Sequence, residues 1–231
     1  MKPFLFIALD GLAKKEKETL EIAKNLSRLK GYDNFGFKVN LDYLLFGQGG
    51  MVNNIIRIIQ LGRPIFTDFK MWNGHRIMSS LIDKIVELGV DYITVHALAD
   101  KLITKSINST IGTNTKVLGL TVLTHFNDEY CRKHFRRSLL ESINHFTQVA
   151  VDAGCHGVVL PAIALDVIAD INTIKVTPGI RPKGFKDRIH KNAVEPAYAK
   201  KKGADILVCG TPIMKSPDPV KVLENILSEI K

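Results

Sequence analysis

Short apolar runs of three to six residues alternate along the chain with longer stretches whose apolar positions recur every three or four residues. The short runs are Phe4–Leu9, Phe35–Val39, Pro64–Asp68, Tyr92–His96, Val117–Val122, Gly157–Leu160, Ile174–Val176 and Ile206–Cys209. Their length and their β-branched and aromatic content predict eight strands. Between them, Leu20, Ala23, Leu26 and Leu29 recur at i+3, and Val222, Leu223, Ile226, Leu227 and Ile230 at i+3/i+4, so the connecting segments read as amphipathic helices. Several strands follow a turn, Lys30-Gly31, Leu88-Gly89, Ala153-Gly154 or Lys202-Gly203, where a left-handed Gly would end a helix before the chain re-enters the sheet. No linker or low-complexity tract interrupts the series. A strand–helix unit repeated eight times predicts an α/β fold, a (β/α)8 barrel spanning residues 1–231 as a single domain. A doubly wound open sheet is the alternative, but Asp10-Gly11-Leu12 after the first strand carries no G-x-G-x-x-G.

Composition narrows the class. With 45% hydrophobic and 24% charged residues over 231 positions, the chain has ample apolar material for a packed core, which excludes disordered and fibrous proteins. The apolar run at Phe4–Leu9 is stopped by Asp10 and lacks the form of an export signal, and no later run approaches the ~20 residues of a membrane span. Cys131, Cys155 and Cys209 are odd in number and widely spaced, which fits neither a disulfide framework nor a zinc site and points to a cytoplasmic protein with reduced thiols. The net charge of +9 gathers in Lys200–Lys202, Arg132–Arg137 and Lys183–Lys191. Such runs are usually solvated faces, a nucleic-acid footprint is the weaker reading, and a site for a small anionic substrate is a third.

In a barrel of this kind, polar residues at the C-terminal strand ends converge on one mouth. The expected array is Asp10 after the first strand, Lys38 on the second, Asp68 and Lys70 on the third, His96 on the fourth and Thr124 beyond the fifth. Thr177-Pro178-Gly179-Ile180-Arg181 follows the seventh and Gly210-Thr211 the eighth. Two Lys and two Asp around a small cavity perturb one another, which marks a functional site rather than a mere ion-pair closure of the mouth. His96 reads as a hydrogen-bonded mouth residue rather than a base, Trp72 as an interface residue or a pocket cap, and Cys209 as a buried strand residue.

Phe-Lys38-Val, Asp68-Phe-Lys70 with Asn73 three residues on, Leu-Gly-Leu-Thr-Val-Leu-Thr124 and Val-Thr-Pro-Gly-Ile-Arg181-Pro, in this order, resemble the orotidine 5′-phosphate decarboxylase family. The resemblance runs from Phe6-Ile-Ala-Leu-Asp10 to Cys209-Gly210-Thr-Pro-Ile. It implies a homodimeric barrel with shared active sites, no metal and no organic cofactor, that converts orotidine 5′-phosphate to UMP and CO2 in pyrimidine biosynthesis. Carried over by position, Asp10 would hold ribose hydroxyls, and Lys38 would join the charged network beside the ribose. Asp68 would face the substrate carboxylate and Lys70 would protonate the ring carbon. Thr124 would contact the pyrimidine, and Arg181 with the backbone around Gly210 would hold the phosphate. Related barrels that act on sugar phosphates with magnesium carry an acidic residue where Lys38 stands, and a cation there opposes a bound divalent metal.

The pattern also breaks in places. Asn73 stands where the family has an Asp that enters the partner subunit's site, keeping the hydrogen-bonding shape without the charge. Thr211 replaces an Arg that would grip phosphate bidentately, and His190 and Lys191 are expected to contribute to phosphate binding instead. His125 replaces a small residue and would narrow the base pocket. Three readings follow: a divergent decarboxylase, a paralogue acting on another phosphorylated ligand, and a non-catalytic phosphate- or nucleic-acid-binding barrel.

Overall fold

The computed structural model describes residues 3–46, 49–185 and 194–231. Among these, eight parallel strands close into a barrel in sequence order: β1 (Phe4–Ala8), β2 (Phe35–Asn40), β3 (Ile65–Met71), β4 (Tyr92–His96), β5 (Lys116–Leu120), β6 (Gly157–Val159), β7 (Ile174–Pro178) and β8 (Ile206–Cys209). The (β/α)8 expectation therefore holds, and each strand falls within three residues of its predicted span. Closure comes from β8 pairing with β1, with Leu5 opposite Leu207 and Ile7 opposite Cys209. The helices that follow are α1 (Glu16–Ser27), α2 (Leu41–Phe46), α3 (Gly50–Ile59), α4 (His75–Glu87), α5 (Lys101–Ser106), α6 (Asp128–Phe135), α7 (Leu139–Asp152), α8 (Pro196–Lys201), α9 (Thr211–Met214) and α10 (Pro219–Glu229).

The period of two along the strands separates two cores. Inward residues, among them Phe6, Phe66, Leu118, Val176 and Ile206, fill the barrel. Outward residues such as Leu5, Ile7, Phe35, Phe37 and Ile93 meet the helices. The predicted stripes face this outer core: Ala23 and Leu26 of α1, and Leu223, Ile226 and Leu227 of α10, are buried. At the inward Gly36 a side chain has no place, since an added Cβ would lie 2.3 Å from Pro64 O and 2.9 Å from the Phe6 ring.

Gly31, Gly89, Gly154 and Gly203 have φ of 84°, 71°, 91° and 87°, the left-handed geometry expected at those turns. One expected helix is absent. The β6–β7 connection is a 3-10 segment, Ala162–Ile168, which starts directly after Pro161 and must return to β7 by Ile174. A full helix with two loops does not fit in that length.

Asp100, which precedes α5, has φ 45° and ψ −126°, a region that only Gly enters without strain, and its side chain makes no capping bond. Replacing it with Gly is expected to stabilise the fold by about 1 kcal/mol, since relief of strain exceeds the entropy a Gly adds to the unfolded chain. Thermal unfolding should show this as a rise of roughly 2–4 °C; an unchanged or lower midpoint would mean that the backbone there is not strained.

Candidate active site

Alternation along β2 and β3 brings the chemistry inward. On β2, Gly36, Lys38 and Asn40 are two residues apart, and on β3 so are Phe66, Asp68 and Lys70. The register sets Lys38 beside Phe66 and Asn40 beside Asp68, so the polar residues begin one layer above the apolar plug. A cavity of about 220 Å³ opens at this C-terminal mouth. Its apolar floor includes Phe66, Leu120, Val159 and Val208.

Asp68 is the centre of the polar wall. Its Oδ2 accepts from Lys70 Nζ at 2.7 Å and from Lys38 Nζ at 3.1 Å, and its Oδ1 accepts from the Thr94 hydroxyl at 2.9 Å. Burial on its own pushes the Asp68 carboxyl up, but the Lys38 and Lys70 ammonium groups, with hydrogen bonds from Lys70 and Thr94, reverse this and hold it at about 2. The carboxylate is therefore charged at neutral pH. Lys38 is buried and also donates to Asn40 Oδ1, while the Asn40 amide donates to Asp10 Oδ1 at 2.8 Å. The direct Lys38–Asp10 approach is only 3.8 Å, so Asn40 is the bridge between them. The network Lys70–Asp68–Lys38–Asn40–Asp10 thus crosses three neighbouring strand ends.

Lys70 has φ 50°, and the β3–β4 register breaks between Thr67 and Met71. This irregularity lets β3 run past Asp68, where the sequence pattern predicted its end, and still deliver Lys70 to the cavity.

The opposite wall is positively charged. Arg181 is buried, donates to Ile180 O at 3.0 Å, and is the cavity's one Arg among the described residues. Beside it lie Gly179, Gly210 and Thr211. A Cβ at Gly210 would sit 3.0 Å from Ala8 Cβ and 3.1 Å from Asp10 Oδ2, a tight approach where β8 meets β1. Thr124 and His125 line the remaining side.

Nine predicted residues thus share one cavity: Asp10, Lys38, Asp68, Lys70, Thr124, His125, Arg181, Gly210 and Thr211. Asn73 does not line it. It is exposed beyond β3, where its Oδ1 accepts the Gly74 N–H at 2.7 Å. His190 and Lys191 lie outside the described residues. His96 is not in the cavity either; its Nδ1 accepts from Leu98 N–H, and burial lowers its pKa, which keeps it neutral at the rim. Cys209 is buried, and that burial pushes its thiol up to about 12, the behaviour of an inert strand residue. In the basic runs, Arg132 pairs with Asp128 and Lys202 with Asp166, both on exposed surfaces. Asn40 and Thr94 are the site residues that sequence reasoning missed. Asn40 had a signal in its two-residue spacing from Lys38, whereas Thr94 had none beyond lying inside a strand.

A closed parallel barrel with an ammonium–carboxylate–ammonium array facing a buried guanidinium is a metabolic-enzyme barrel built for a small anionic substrate. Within that class the chain belongs to the Orotidine 5'-phosphate decarboxylase / HUMPS family, whose signature matches residues 3–226. It is 33% identical over 221 residues to the orotidine 5'-phosphate decarboxylase of a Nitratiruptor species, covering 93% of this chain and 95% of that protein. It is 35% identical over 170 residues to that of Aquifex aeolicus, covering 71% and 72%. The crystal structure of orotidine 5'-phosphate decarboxylase from Lactobacillus acidophilus superposes with a TM-score of 0.80 at 26% identity, covering all of both chains.

Because the folded Asp68 pKa of about 2 lies below its ordinary 3.8, the stability it contributes is fully present above about pH 4 and is lost as pH falls through 2. Thermal unfolding of wild type and Asp68→Asn across pH checks this. The variant should be clearly less stable at pH 7, and the gap should close toward pH 2. A gap that persists unchanged at pH 2 would contradict the assignment.

Proposed function

We propose that the chain, as one (β/α)8 domain, decarboxylates orotidine 5′-phosphate to UMP without a metal or organic cofactor. The observation that carries this reading is the Lys38–Asp68–Lys70 array on the cavity's polar wall, with Oδ2 of one buried carboxylate shared by two ammonium groups. Arg181 and the Gly210-Thr211 turn take the phosphate, Asp10 and Asn40 the ribose hydroxyls, and Thr124 the pyrimidine. This binding brings the substrate carboxylate up to Asp68. The ring-carbon bond to the carboxylate breaks, CO2 departs, and its electron pair stays on the ring carbon. Lys70 stabilises that developing carbanion and then transfers its proton there, so that UMP forms and Lys70 regains a proton from water. Binding energy from the remote phosphate opposes the like-charge repulsion at Asp68. Lys38 stands where a divalent metal would need an acid, which favours this chemistry over magnesium-dependent sugar-phosphate reactions.

The working unit we infer is a cytoplasmic homodimer. Leu41, Leu45, Val52, Ile56, Trp72 and Ile77 are large apolar side chains left exposed, and all belong to the two successive units that follow β2 and β3. Asn73, exposed between Trp72 and Ile77, would then reach the partner's cavity.

Loss of the orotate ultraviolet absorbance on incubation with orotidine 5′-phosphate tests the reading. Turnover should survive EDTA, and Lys70→Ala should lower it by several orders of magnitude with the fold intact, because proton donor and carbanion stabiliser are removed together. Activity lost with EDTA and recovered with Mg2+ would instead assign the chain to sugar-phosphate chemistry.

Asn73→Asp returns an anion beside two Lys and is expected to raise turnover on the order of tenfold. Mixing Lys70→Ala with Asn73→Ala chains should recover activity that neither parent shows. An Asn73→Asp enzyme no faster than wild type would mean that this position no longer serves the site.

A further inference from the structure

Both reacting residues of β3 are tied to one side chain that does not line the cavity. Thr94, in the middle of β4, is fully buried. Its Oγ1 lies 2.9 Å from Asp68 Oδ1 and 2.8 Å from the Lys70 backbone nitrogen. The proton directions follow from the partners. An amide N–H can only donate and an ionised carboxylate can only accept, so the hydroxyl accepts from Lys70 and gives its single proton to Asp68. Asp68 Oδ2 holds both ammonium groups, so Thr94 is the side chain bonded to the other oxygen and stops rotation of the carboxylate about its terminal torsion.

The bond to Lys70 addresses a second requirement. Lys70 is a non-Gly residue at φ 50°, just where the β3–β4 ladder breaks, so its amide bonds a hydroxyl instead of a strand carbonyl. A left-handed residue of this type persists only where its surroundings hold it. The same conformation carries the Lys70 side chain into the cavity, with Nζ 2.7 Å from Asp68.

We propose that Thr94 is the positioning residue of the Asp68–Lys70 pair, one hydroxyl fixing both the carboxylate's orientation and the left-handed backbone that aims the ammonium group. The kinetic arm of the test rests on the decarboxylase reading; the spectroscopic arm rests on geometry alone. Thr94→Val keeps the volume and removes the hydroxyl, and Thr94→Ser keeps the hydroxyl. With orotidine 5′-phosphate, Thr94→Val should lower kcat by roughly ten- to a hundredfold, the scale of a small misplacement at a reacting centre, while KM moves by about threefold or less. Thr94→Ser should stay near wild type. By NMR, Thr94→Val should raise the midpoint of the Asp68 carboxyl titration, shift the Lys70 amide resonance and speed its hydrogen exchange, and Thr94→Ser should do none of these. If Thr94→Val does not fold, Thr94→Ala against Thr94→Ser isolates the same oxygen. Wild-type kcat in the hydroxyl-free variant with an unmoved Lys70 amide would overturn the proposal, as would a loss that Ser fails to restore. Should wild type not turn over orotidine 5′-phosphate, the decarboxylase reading fails while the NMR comparison still decides the role of Thr94.

Discussion

A single carboxylate oxygen serving two ammonium groups is the constraint around which this molecule is organised. Asp68, Lys38 and Lys70 lie together on a floor of Phe66, Leu120, Val159 and Val208, where charges are expensive unless paired. Two cations and one anion leave the cluster with an excess positive charge. Asn40 softens that excess with the carbonyl dipole it turns to Lys38, and Asp10 adds a more distant anion. Arg181 across the cavity extends the same positive field.

Much of this was legible in the sequence because a barrel turns a one-dimensional pattern into a radial one. Apolar runs at regular spacing gave the strands, and the last polar residue of each gave the mouth. What escaped depends on neighbours rather than on periodicity. Thr94 in Tyr-Ile-Thr-Val-His looks like an ordinary β-branched strand residue, and only its place beside the irregular end of β3 makes its hydroxyl matter. Lys70 was recognised by type, but no pattern announces a left-handed Lys. The strand–helix rhythm also predicted a helix after β6, where the short run after Pro161 forms a 3-10 segment instead. Asn73 was singled out for its missing charge, and it lies exposed outside the cavity of its own chain.

The departures from the family pattern share a direction. Asn73 and Thr211 each put a neutral group where a charge was expected, one beyond β3 and one after β8. Within the cavity, Asn40 joins Lys38 to Asp10. Beside Thr211, the guanidinium of Arg181 carries the positive charge of that wall among the described residues.

The close fit of Gly210 against Ala8 and Asp10 also has a temporal meaning. Residues 8–10 leave the ribosome well before residue 210, yet the two meet at the wall of the cavity. Until β8 docks between β7 and β1, both of those strands present open edges to solvent. An emerging chain therefore holds every reacting side chain of the β2–β3 wall well before it has a closed vessel in which to use them. Competence arrives in one late step, and a chain cut short before that seam would be sticky as well as inactive, a combination that cellular quality control can recognise.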